Sequence, residues 1–154
     1  MMKRCRVIVG VLVVSGLCVA LLVAVEAKNS VGGQRGEVSK LVGSWSGESV
    51  CVDREKFPAC RDEQVVYRIV ESSGKANTVT VTMDKIVDGK PETMGVLDFV
   101  YDAPKQTLSG EFERNNRRGI WEFAVRGDAL EGTLATLPER TIARRVKVKK
   151  DKPE

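Results

Sequence analysis

Histidine is absent from this chain. That absence removes the imidazole base of Ser-His and Cys-His nucleophile pairs, the side chain that most readily moves protons near neutral pH, and the commonest nitrogen ligand of zinc. Cysteine is scarce. Cys5 and Cys18 lie in an apolar N-terminal stretch, and Cys51 and Cys60 do not form a CxxC pair, so no thiolate metal cluster is spelled out. Aromatic residues make up only 5 % of the chain, which supplies no tryptophan-rich ligand wall. A large excess of one charge is also missing: the formal net charge is +4, and Lys3, Arg4 and Arg6 less Glu26 supply half of it. Nucleic-acid recognition needs clustered basic residues and a far greater imbalance, so no nucleic-acid partner is expected. Carboxylates are plentiful, but Glu111, Glu113 and Glu122 fall opposite the apolar residues of their segments, and no two are marked as a tuned acid and base. With no catalytic set and no cofactor motif, the chain reads as a non-enzyme that uses no cofactor and no metal.

What is present begins with a secretion signal. Lys3, Arg4 and Arg6 precede an uncharged run from Val7 to Val25, and Val25 and Ala27 occupy the two small-residue positions before a cleavage site. Residues 1–27 are therefore expected to be a signal peptide, leaving an exported chain that is periplasmic or secreted. The run at 7–25 is also long enough to span a bilayer, so an uncleaved anchor is the alternative and the sole route to a membrane. Cys18 does not fit a lipidation site, because Leu17 precedes it where a small residue is needed. In an oxidising compartment Cys51 and Cys60 are expected to form a disulfide.

Residues 28–40, with Gly32, Gly33 and Gly36 among scattered charges, show no period and are expected to be a flexible leader. From 41 to 150 the pattern has period two, and residues 151–154 form a tail. Gly43 to Cys51, Gln64 to Glu71, Thr78 to Val87 and Thr93 to Tyr101 alternate apolar and polar residues. Sets centred on Phe112, Trp121, Leu134 and Val146 continue the pattern. Asp88-Gly89, Asn115-Asn116 and Gly127-Asp128 are hairpin dipeptides that tolerate positive φ. About eight strands joined by short turns, with no segment long enough for a crossover helix, predict an all-β antiparallel up-and-down meander closed as a small barrel.

The alternating lysines and arginines of the last segment, Arg145, Lys147 and Lys149 against Val146 and Val148, mark a solvated strand face. The same count puts Arg144 on the inward face with Ile142, Val146 and Val148, where a guanidinium needs a partner. Gly43-Ser44-Trp45 at the start of the first strand and this inward arginine on the last resemble the lipocalin and calycin barrels. That resemblance implies that Arg144 packs across Trp45, with Arg145 the substitute if the register slips by one. The usual C-terminal helix and one of the family's turn motifs are missing, which implies a small relative of the plan.

An eight-strand barrel can hold one small ligand, and a small apolar ligand is expected inside it, with Trp45, Tyr67, Phe99, Tyr101, Phe112, Trp121 and Arg144 as the candidate lining. The competing reading of those aromatics is plain core packing. A second functional class is a protein-binding module of the envelope. The chain also resembles the exported bacterial metalloprotease inhibitors, small barrels with a first-strand tryptophan, one disulfide and an N-terminal arm, for which residues 28–40 would serve.

Overall fold

The computed structural model describes residues 37–152. The expected signal peptide or anchor and residues 28–36 of the expected leader lie outside the described residues. Eight strands follow one another: β1 Gly43–Cys51, β2 Glu63–Glu71, β3 Thr78–Val87, β4 Lys90–Asp102, β5 Thr107–Arg114, β6 Arg117–Arg126, β7 Ala129–Leu137 and β8 Thr141–Lys150. Each pairs antiparallel with the next, and β8 returns to β1 to close the barrel. The closure removes both free edges that a sequential meander would otherwise expose.

Turn chemistry sets the connections. Asp88 and Gly89 take φ values of 50° and 76°, and Asn115 and Asn116 take 51° and 57°, so both dipeptides place two positive-φ residues between paired strands. That backbone twist matches the twist of the flanking strands. Thr78–Val87 and Lys90–Asp102 thereby pair directly, from Val87 opposite Lys90 down to Thr78 opposite Val100.

The strands bend into a barrel around inward glycines, and an aromatic ring covers most of them. An added Cβ at Gly110 would meet Phe99 at 3.0 Å, at Gly119 it would meet Phe112 at 2.7 Å, and at Gly132 it would meet Phe123 at 2.4 Å. Gly47 instead sits against backbone at the closing seam, where a Cβ would lie 2.1 Å from the Lys147 carbonyl oxygen. Glycine followed across the ladder by a ring is how a coiled sheet bends without leaving voids.

Inside, Phe123 is the hub. Tyr67 meets it edge-on at 6.1 Å between centroids, Phe99 lies at 6.0 Å, and Trp121 stacks on it at 5.9 Å. Val65, Ile69, Val79, Val81, Leu108, Leu130, Val146 and Val148 fill the space between them.

One end is shut by chain that the sequence pattern assigned to a leader. Residues 37–39 form a single helical turn, and Val38 and Leu41 are buried in the core. For residues 37–40, then, the expectation of a flexible leader is corrected. The turn is pinned because Trp45 Nε1 donates to the Leu41 carbonyl at 2.9 Å and Lys150 Nζ donates to the Lys40 carbonyl at 2.7 Å. Those bonds, with the burial of Val38 and Leu41, outweigh the entropy of a short polar stretch.

Candidate functional site

The end opposite the helical turn carries the β1–β2 connection, which begins after Cys51 and contains Cys60, and the β3–β4, β5–β6 and β7–β8 hairpins. Cys51 and Cys60 form a disulfide with a Cα separation of 6.0 Å. Asp62 fixes the same connection by accepting the Cys51 backbone N–H at 2.9 Å and pairing with Arg54 at 2.7 Å. Those two contacts hold the Asp62 carboxyl below the usual carboxylate range.

Arg144 is the tie between this loop and the barrel. Its Nε donates to Ser49 Oγ at 2.7 Å. Its Nη2 donates to the carbonyls of Ser49 at 3.1 Å and Arg61 at 2.7 Å, and pairs with Glu63 at 2.7 Å. Its Nη1 lies 3.3 Å from Cys60 Sγ. The fork geometry of a guanidinium suits such a convergence of acceptors, and the expected inward placement of Arg144 is what brings them together.

Arg144 does not pack across Trp45, however. β1 and β8 run antiparallel, so Arg144 pairs with Cys51 at the mouth, while Trp45 near the shut end pairs with Lys150. The cation over the tryptophan is Lys150, with Nζ 5.6 Å from the ring centroid. Arg145, the other residue considered for that role, is exposed on the outer wall. A second correction concerns Ile142. Leu134 faces Arg144 and Ala135 faces Ile142, which leaves Ala143 unpaired as a bulge; the extra residue turns Ile142 outward and buries Ala143.

A second bulge opens the wall. Met83 faces Gly95 and Asp84 faces Thr93, so Met94 has no partner and β4 bends there. β4 and β5 then pair only from Val100 opposite Ser109 to Asp102 opposite Thr107, although both strands continue well beyond. Between them lies a slot of about 440 Å³ lined by Met94 to Leu97 of β4, Phe112 to Arg114 of β5, and Met83 and Trp121 from the interior. Consecutive residues of a strand point to opposite faces. A cavity lined by consecutive residues from both strands therefore passes between them, from the outer surface to Trp121.

At the mouth itself a larger open cavity of about 1010 Å³ lies between the cysteine loop, represented by Phe57 and Pro58, and the β5–β6 and β7–β8 hairpins. It shares Phe112 and Arg114 with the slot.

The residues expected to line a ligand site divide accordingly. Phe112 and Trp121 line the slot, and Phe112 and Arg144 line the mouth. Tyr67 and Phe99 are packed around Phe123 in mid-barrel, while Trp45 and Tyr101 are buried towards the shut end; none of these four lines either cavity. Burial pushes the Tyr67 phenol well above its ordinary value, and its hydroxyl has no hydrogen-bond partner among the described residues.

The candidate lining read from the sequence did not include Met83, Met94, Gly95 and Leu97 of the slot, although alternation already puts Met83 and Leu97 on inward faces; Met94 is the bulged residue. Sequence reasoning also missed Asp84, which falls on the threonine face of β3 yet is wholly buried, held by Arg68 at 2.5 Å and by Thr93 Oγ1 at 2.7 Å. Among the described residues no group of His, Cys, Asp and Glu side chains could hold a metal ion, and no helix is long and apolar enough to cross a membrane. No family model matches the chain, and no curated protein matches it.

Proposed function

We propose that this chain is an exported barrel that binds a small apolar ligand through the slot between β4 and β5. The observation that carries the reading is the interrupted β4–β5 ladder, with its slot of about 440 Å³ floored by Trp121 and flanked by Met83, Met94, Leu97 and Phe112. That volume and apolar wall are in the range of small-molecule sites. Methionines beside a stacked indole also adapt readily to an apolar guest. A lipocalin-like or calycin-like kinship accords with the closed eight-strand meander, with Gly43-Ser44-Trp45 opening β1, and with the last-strand cation on Trp45, supplied here by Lys150. Export accords with the basic and apolar N-terminal sequence and with the Cys51–Cys60 disulfide. The intact mass of the protein recovered from its own host tests it, cleavage after Ala27 being the expected result.

The binding test is titration with the neutral dye N-phenyl-1-naphthylamine, read by dye emission and by tryptophan fluorescence. Gly95→Phe is the blocking variant, because an added Cβ at Gly95 meets nothing within 4 Å and the ring can occupy the slot. Dye binding by the wild type that is lost in G95F, with an unchanged near-ultraviolet circular dichroism spectrum, is the expected outcome. A wild type that leaves the dye dark would refute the reading. A second reading, a protein-binding module, is favoured only by the exposed valines Val70, Val96 and Val100 on the outer wall of β2 and β4.

A further inference from the structure

The mouth and the slot meet at the β5–β6 hairpin, and the charge there has one sign. Lys56, Arg114, Arg117, Arg118 and Arg144 line the mouth, with no carboxylate among its walls. Three of these cations are answered: Lys56 by Asp53 at 3.7 Å, Arg118 by Glu111 at 3.3 Å, and Arg144 by Glu63 at 2.7 Å. Arg114 and Arg117 have no ion-pair partner among the described residues, and they stand directly opposite each other across the hairpin. Like charges facing each other on paired strands repel, and a bound anion relieves that repulsion while accepting hydrogen bonds from both guanidinium groups.

Arg114 also lines the slot, beside Phe112, with Trp121 at its floor. The slot's one carboxylate, Glu113, faces Arg118 across the ladder, away from the Arg114–Arg117 pair. Cationic groups at the opening and apolar residues below are therefore continuous through two shared side chains.

We infer that the ligand is a single-chain amphipath with an anionic head, whose carboxylate, sulfate or phosphate group is held by Arg114 and Arg117 while its chain runs past Phe112 into the slot between β4 and β5. The inference rests on the slot being the ligand site. It adds a selection rule that an apolar cavity alone lacks: at equal chain length, a charged head binds better than a neutral one.

The experiment displaces the neutral dye from the purified protein with laurate, dodecyl sulfate or dodecyl phosphate, and in parallel with dodecanol. Each anion is expected to displace the dye at a concentration about tenfold or more below that of dodecanol. The R114Q/R117Q variant is expected to bring the anions to the level of dodecanol, both read against the dye affinity measured in that same variant; both arginines are exposed, so the fold should persist. Equal displacement by anions and dodecanol, or anion binding that survives R114Q/R117Q, overturns the head-group assignment while dye binding leaves the slot reading standing. Anion binding that survives G95F overturns the placement of the chain. Vesicles of phosphatidylcholine containing phosphatidylglycerol separate a free amphipath from a bilayer: no co-sedimentation is expected, and co-sedimentation abolished by R114Q/R117Q overturns the inference in favour of a membrane surface. If neither dye, anion nor dodecanol binds, the slot reading falls and the inference falls with it.

Discussion

Replacing Arg144 should loosen the whole mouth of the barrel. The guanidinium is 13 % exposed and the Glu63 side chain 22 %, so the pair lies mostly out of water. Arg144→Met removes that ion pair together with the bonds to Ser49 Oγ and to the carbonyls of Ser49 and Arg61. Ser49 is 1 % exposed and would keep its hydroxyl in a dry site with one donor fewer. Breaking a buried pair by removing one partner costs about 3 to 5 kcal/mol. Glu63 can regain some water, which places this case near the lower end, at about 3 kcal/mol. In a domain of this size such a loss lowers the melting temperature by on the order of 10 °C or more.

Urea unfolding with the disulfide intact, followed by tryptophan fluorescence, measures it directly, with the midpoint falling and the slope unchanged. Arg144→Lys should recover little, because an ammonium cannot span acceptors arranged for a fork. In a double-mutant cycle E63Q should cost much less in the R144M background than in the wild type, with a coupling of about 1 kcal/mol or more. A loss below about 1 kcal/mol in R144M, or wild-type stability in R144K, would refute the claim that this network holds the cysteine loop to the barrel.

Three further outcomes follow from the same structure. The C51A/C60A variant opens a loop with a sequence separation of 9 residues and should lose roughly 2 to 3 kcal/mol in urea unfolding; the added cost of R144M should shrink in that background, because Arg61 is then held less firmly. Gly132→Ala would set a Cβ 2.3 Å from the Glu122 carbonyl and should cost about 2 kcal/mol or more, whereas Gly95→Ala, with open space around it, should stay within about 0.5 kcal/mol of wild type by thermal melting. The Tyr67 phenol is held neutral by burial, Arg144 offsetting part of the effect and Glu63 adding to it, and Tyr101 is shifted in the same direction. An unfolded tyrosine loses its proton near pH ~10, so this contribution to stability is complete below that pH and is lost as pH rises towards the folded value. Phenolate absorbance should therefore rise together with loss of the near-ultraviolet dichroism. Tyr67→Phe should weaken that alkaline loss, and phenolate absorbance rising at ordinary pH in the intact fold would contradict the burial argument.

Period-two alternation and hairpin dipeptides were enough to read the strands and their meander order, because each depends on residues adjacent in sequence; closure was expected from the strand count, since it leaves no free edge. Asp88-Gly89 and Asn115-Asn116 specify their own turns through the positive φ they tolerate. The pairing of Cys51 with Cys60 was legible as well, since few other partners exist. The inward face of Arg144 followed from the same alternation, but which residues it meets did not, because Ser49, Arg61 and Glu63 come to it only through closure of β8 on β1 and the path of the cysteine loop.

Counting alternate residues fails where a bulge adds one. Ala143 reversed Ile142, and Met94 broke the register of β4 on β3. A bulge is a compromise between strand register and barrel curvature, and no local residue pattern announces it here. The helical turn that caps the shut end was equally hidden: the Trp45 bond to Leu41 is local, but Val38 and Leu41 are held by burial in the core and Lys40 by Lys150 at the far end of the chain. The sequence by itself determined the alternation, the turns and hence an all-β meander, because these are energies of neighbouring residues. Which aromatics became core and which came to line a cavity was decided only by tertiary structure, through the curvature of the closed barrel and the two bulges that relieve it.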